Sequence, residues 1–190
     1  MRLARRFAII GAVLAALALA ACGSGKHPYD ATAENNGYYV RTGSIYYQLQ
    51  VSRELNPFSV EDHQYLTGLP GGTTTPGPNQ LWYGVFLWAR NYGKQPQTTA
   101  GNADFVITDT QGDQYHPVPL DSTVNQYAWT ARTLAPLEAE PGHDTTASFG
   151  PTQGALLLFR LNTTVYDNRP LTLQIHVPGE SQVSTISLDL

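Results

Sequence analysis

Leu81-Trp82-Tyr83-Gly84-Val85-Phe86-Leu87-Trp88-Ala89 is the stretch whose reading decides the fold. It carries no charge and is apolar at odd and even positions alike. A strand with that pattern must be covered on both faces, so it is read as the central strand of a layered β structure. Trp82, Phe86 and Trp88 share one alternating face, either as inter-sheet core or as cover for a helix.

On the N-terminal side, residues 45–51 alternate: Ile45, Tyr47, Leu49 and Val51 on one face, Tyr46, Gln48 and Gln50 on the other. This is a half-buried strand. Asn56-Pro57 ends it. Ser59 is then placed to cap a short helix, with Asp62 three residues on. His63, Tyr65, Leu66 and Leu69 fall on or just after that turn, and residues 70–78 form a Gly/Thr/Pro loop without core residues. An insertion of this length, 56–80, between two strands is a place to look for function.

On the C-terminal side, residues 105–108 pair with 114–118 through the turn 109–113, and Pro117 and Pro119 put the second arm at an edge. Residues 127–134 are a further strand. Tyr127 and Trp129, two apart, are either core or an exposed ledge for a glycan or a partner. Residues 140–143 turn into a strand at 145–149, 155–161 are a second buried apolar run, 171–177 alternate cleanly, and 186–190 close the chain. Eight or nine strands at these spacings, with at most one short helix, predict an all-β antiparallel sandwich over 38–190.

Several of these features together resemble immunoglobulin-like extracellular domains of bacterial lipoproteins: Asn91-Tyr92-Gly93 at a strand end, the hairpin from Phe105 to Tyr115, the Pro141-Gly142 turn, and Leu156-Leu157-Leu158-Phe159. The resemblance spans about 81–177. It implies an immunoglobulin-like sandwich and carries over no catalytic residues.

The N-terminus has a separate meaning. Arg2, Arg5 and Arg6 precede an uncharged apolar run that ends in Leu19-Ala20-Ala21-Cys22, and Cys22 is the chain's one cysteine. This is the order of an export signal, and its apolar run is too short to span a membrane comfortably. Leu19 to Cys22 also resemble the lipobox of bacterial lipoprotein precursors. That resemblance implies cleavage before Cys22, a diacylglycerol (palmitate-type) anchor on its sulfur, and a location on the extracytoplasmic face of the cell membrane. Residues 1–21 are then signal peptide and 22–37 a flexible tether. A lipidated Cys22 leaves no thiol for a disulfide, so the fold rests on packing.

Losing the three signal arginines leaves 8 basic against 15 acidic residues, a net charge of −7. The remaining cations are scattered singly, which excludes nucleic acid as an expected partner. The expected partners are the membrane through Cys22, and an envelope protein or cell-wall polymer. No nucleophile elbow, phosphate loop or close histidine pair is present, so no enzyme activity, cofactor, metal or catalytic residue is expected. The densest polar cluster is Glu138, Glu140, His143 and Asp144, read as a solvated turn. Glu61 and Asp62 form another carboxylate pair. The leading expectation is a non-catalytic binding module that works through the 56–80 insertion and the 109–113 hairpin. The alternative is a small-ligand or metal-handling lipoprotein with His63, His116 or His143 as ligands.

Overall fold

The computed structural model describes residues 32–33, 39–72, 74–177, 179–188 and 190. Cys22, the signal segment and most of the 22–37 tether lie outside the described residues.

In chain order the strands are β1 (Thr32–Ala33), β2 (Tyr39–Thr42), β3 (Ile45–Leu55), β4 (Gln80–Asn91), β5 (Gln97–Thr98), β6 (Phe105–Thr108), β7 (Gln114–Tyr115), β8 (Thr133–Leu134), β9 (Ala139–Glu140), β10 (Ala155–Asn162), β11 (Leu171–Ile175) and β12 (Ser184–Leu188). One sheet has the order β1-β12-β11-β6-β7. The other runs β10-β4-β3-β2, with β9 continuing the β10 edge of β4, and β5 pairs with β8 as a small ribbon. All pairs are antiparallel except β1 with β12. Thr32–Ala33 fall inside the stretch read as tether, so the sandwich begins earlier than residue 38. Among the described residues helix is confined to single turns, including α1 (Val60–His63) and α2 (Thr146–Phe149). The result is an all-β, mostly antiparallel sandwich.

The core between the sheets takes every second residue of β4. Leu81, Tyr83, Val85, Leu87 and Ala89 meet Phe105, Ile107, Leu173, Ile175 and Ile186. The other face of β4 is buried too, by chain that is not sheet. Trp82 and Phe86 pack with Leu55, Leu156 and Leu158 under Tyr65, Leu66 and Leu69 of the insertion and Tyr127 and Ala147 of a later loop. The double-sided apolar pattern at 81–89 therefore records two different covers. Gly84 falls on this outer face. A methyl group there would lie 3.0 Å from the Phe86 ring and 3.1 Å from Leu55, so glycine makes the room those side chains fill.

β3 breaks its own alternation. Leu49 stands opposite Leu87, yet Val51 stands opposite Phe86, because a bulge at Gln50 shifts the register. One extra residue moves all following side chains to the other face. Val51 thus leaves the inner face expected for it and joins the outer cluster, while Ser52 turns inward, buried opposite Val85.

Three expected elements differ. Residues 127–134 make one bridge, Ala128 with Leu156, and only Thr133–Leu134 is strand. The segment crosses the edge of β10 once instead of running along it: Trp129 N–H donates to Leu156 O, and Leu156 N–H donates to Tyr127 O. Residues 146–149 are a helical turn, where Ser148 Oγ bonds to the His143 and Thr145 carbonyls in place of a ladder. Ser59 precedes α1 but makes no side-chain cap. Asp62 turns instead to Asn56 N–H, at 2.8 Å, and to Arg53.

Candidate functional site

The bulge in β3 divides the outer face of its sheet into two halves of different chemistry. Beyond Gln50 the outward Val51 and Leu55 join the apolar cluster under the insertion, and Arg53 between them pairs with Asp62 of α1. Before it, the even-numbered residues of β3 face out, and the register sets two rows across the sheet. Tyr39 of β2 stands opposite Gln48, which stands opposite Trp88. Arg41 stands opposite Tyr46, then Arg90, then Ala139 of β9. Directly paired residues share a face, so these side chains project together.

All of them but Arg41 line an aromatic recess of about 110 Å³, completed by Tyr92 just past the end of β4 and by His143 from the turn after β9. Tyr39 is 42% and Tyr92 50% exposed, so the rings present themselves to solvent. Tyr46 and Tyr92 meet edge to face, with centroids 4.8 Å apart and planes at 70°. The Arg90 guanidinium lies over the Tyr92 ring, 5.2 Å from its centroid, and is steadied by a bond from Nε to Leu137 O. Trp88 lines the recess, and its indole N–H is covered and has no acceptor. Such a donor costs about 1–3 kcal/mol when left unmet. The groups assembled here supply contact area, donors and positive charge.

The other candidate residues are engaged elsewhere. Arg132 occupies the Glu138–His143 cluster. It pairs with Glu138 and, at 3.3 Å, with Glu140. Burial pushes the Glu140 carboxyl up, with Arg132 only partly opposing it. The Ala135 N–H, helped by Arg132, holds Glu138 below the usual range against desolvation. This turn is an ion-paired bracket. Asp62 is buried, bonded at 2.5 Å to Arg53, while its neighbour Glu61 is exposed. In the 109–113 hairpin the Asp109 carboxylate closes its own loop, accepting the Gln111 and Asp113 N–H groups and the Asn168 amide. His63, His116 and His143 are exposed and lie on α1, after β7 and after β9. Among the described residues no group of three or more His, Cys, Asp or Glu converges as a metal site.

Tyr127 and Trp129 are buried, so the exposed-ledge alternative falls. Trp129 Nε1–H donates to Ala100 O and Tyr127 O–H to Gln64. The insertion packs over the outer core. Two hollows run beside it: one of about 440 Å³ at Arg53, Asp62 and Tyr65, another of about 370 Å³ at Trp82, Pro117 and Arg160. Sequence reading put Tyr46 on the second face of its strand, Trp88 on an alternating face of 81–89, Tyr92 at a strand end, and His143 among the polar candidates. It missed Tyr39, Gln48 and Arg90. Their shared face is set by strand register, and only the even parity of 46, 48, 88, 90 and 92 hinted at it.

No protein-family model matches the chain, and no curated protein matches it. Among solved structures it is similar to the yjhA protein of Bacillus subtilis, at 12% identity and a TM-score of 0.48, over 83% of this chain and 99% of that one. It is also similar to an uncharacterized β-sandwich protein of Clostridium difficile, at 11% identity and a TM-score of 0.43, over 83% and 95% of the two chains. A third is ycdA of Bacillus subtilis, provisionally assigned as a lipoprotein, at 12% identity and a TM-score of 0.48. That match covers 80% of this chain and 38% of the other.

Proposed function

We propose that this chain is a cell-envelope lipoprotein, anchored through Cys22 on the extracytoplasmic face, whose immunoglobulin-like sandwich acts as a non-catalytic binding module. The observation that carries the reading is the recess at Tyr39, Tyr46, Trp88 and Tyr92. Preformed concave sites with aromatic walls and a few polar groups are the usual form of a ligand site. Tyr and Trp bury much area at low conformational cost and keep a polar edge. A five-stranded sheet supplies the preorganisation that lowers the cost of binding. The anchor rests on the signal and lipobox. Two acyl chains give stable attachment where one gives only reversible contact. The partner is an envelope protein or a cell-wall polymer.

The test is site-specific photocrosslinking of the full-length protein in cells, with the photoreactive residue at Tyr92 or, as control, at the exposed Val124 outside the recess. Reproducible capture from Tyr92 alone supports the reading. Equal capture from both positions, or none from Tyr92, overturns it. Cys22→Ala separates the anchor from the site: the variant should lose metabolic lipid label and leave the membrane fraction. Retention of the unlabelled variant in the membrane would sink the anchor.

A further inference from the structure

The recess has a charge and shape that select among ligands, and this step rests on the binding-module reading above. We propose that it takes an acidic saccharide, one sugar ring set against the aromatic walls with its carboxylate or phosphate directed to Arg90.

Size comes first. About 110 Å³ holds part of a single ring, and both Tyr39 and Tyr92 border the open side. A chain of linked rings therefore enters one ring at a time and runs on across the sheet. The faces of a pyranose ring are C–H groups with hydroxyls at the perimeter. Such a ring presents apolar faces to Tyr and Trp and polar edges to Gln48 and His143, as amphipathic aromatic sites require.

Charge decides the class of sugar. The groups of fixed positive charge on this half of the face are Arg90, which lines the recess, and Arg41, opposite Tyr46 in the register. Glu138 and Glu140 flank Ala139 of this pairing; Glu140 stands opposite Ala89, on the other face, and both carboxylates are paired with Arg132. A positive hollow on a chain of formal net charge −4 is a local departure that favours an anion. A cationic ligand is disfavoured on the same geometry. The negative face of the Tyr92 ring is already occupied by Arg90, and a second cation there would meet like charge. The covered indole N–H of Trp88 adds an unmet donor at the wall.

The experiment uses the full-length protein in detergent and measures binding by calorimetry of three probes: an oligogalacturonate, the uncharged oligogalactose of the same length, and galactose 6-phosphate. The oligogalacturonate should bind about tenfold or more tightly than oligogalactose, the scale of one charge-assisted hydrogen bond. Added salt should narrow that gap. Arg90→Gln should erase the preference for the acid, and Tyr92→Ala should weaken both oligomers. Preferential binding of the sugar phosphate in place of the uronate would assign the anion as phosphate within the same proposal. Equal binding of acidic and neutral oligomers, or an acid preference that survives Arg90→Gln, overturns it. If no saccharide binds while the Tyr92 crosslinker captures a protein, the saccharide class fails and the binding-module reading stands. If neither occurs, both fail.

Discussion

Tyr65 stands edge-on to Phe86, ring centroids 5.0 Å apart and planes at 77°, and this contact fixes the insertion to the outer face of β4. Tyr65 is 1% exposed, also packs edge-on to Tyr127 at 4.8 Å, and its hydroxyl has no hydrogen-bond partner. The ring and the hydroxyl therefore act in opposite directions. Tyr65→Phe keeps the packing and removes an unmet polar atom, so stability should be unchanged or higher by up to about 1 kcal/mol. Tyr65→Ala should lower it by about 3–5 kcal/mol through the cavity left under the insertion. Urea unfolding of both variants checks this, and a Phe variant as unstable as the Ala variant would refute it.

Asn91, fully buried at the end of β4, satisfies every side-chain hydrogen-bonding group. Nδ2 donates to Gln95 O at 2.8 Å and Leu134 O at 2.9 Å, while Oδ1 accepts from Ser44 Oγ and Gly93 N–H. Asn91→Asp turns the donating end into a second acceptor facing two carbonyls. It should cost about 3 kcal/mol or more at neutral pH, with partial recovery in acid as the carboxyl protonates. Thermal unfolding at two pH values measures it.

Asp62 predicts the acid limit of the insertion. Burial opposes its charge, but Arg53 and the Asn56 N–H outweigh burial and hold its carboxyl below the usual range. A depressed folded value means the unfolded chain binds the proton more tightly. The stabilisation is complete above the ordinary carboxylate range and is lost as pH falls through the lowered folded value. Arg53 is about a third exposed, so solvent screening reduces the gain from the pair. Asp62→Asn should destabilise the wild type at neutral pH and lose most of its effect in strong acid. Hydrogen exchange of residues 56–66 localises the change.

Glu140 has the opposite sign. Its carboxyl is raised by burial, so the folded state holds the proton more tightly, and stability from this group falls as pH rises through the raised value. Glu140→Gln should therefore raise the midpoint of thermal unfolding at neutral pH, with the difference closing in acid. Arg132 keeps Glu138 as its partner in the variant. A lower midpoint at neutral pH would show that the Arg132–Glu140 pair outweighs its desolvation.

The layered β architecture was legible because it follows from periodicity. Residues 81–89 were read as lying between two covers, which holds for 81–87 while Trp88 borders the open recess, and 171–175 show one face to the core as expected. The elements that failed, 127–134 and 145–149, are short segments of mixed character. Backbone hydrogen bonds to the distant Leu156 decided the first, and short-range bonds from Ser148 to the His143 and Thr145 carbonyls, which alternation does not register, decided the second.

By itself, then, the sequence determined the sandwich, the strand faces up to Leu49, and the signal-like order that ends at Cys22. Tertiary structure alone decided the recess. Its residues come from positions 39, 46, 48, 88–90, 92, 139 and 143, most of them brought together by strand register. A bulge at Gln50 then gives one half of the outer face to the insertion and leaves the other half open. Register is a property of paired strands, set by long-range hydrogen bonding and packing, so a single chain's alternation does not encode which rings will stand side by side.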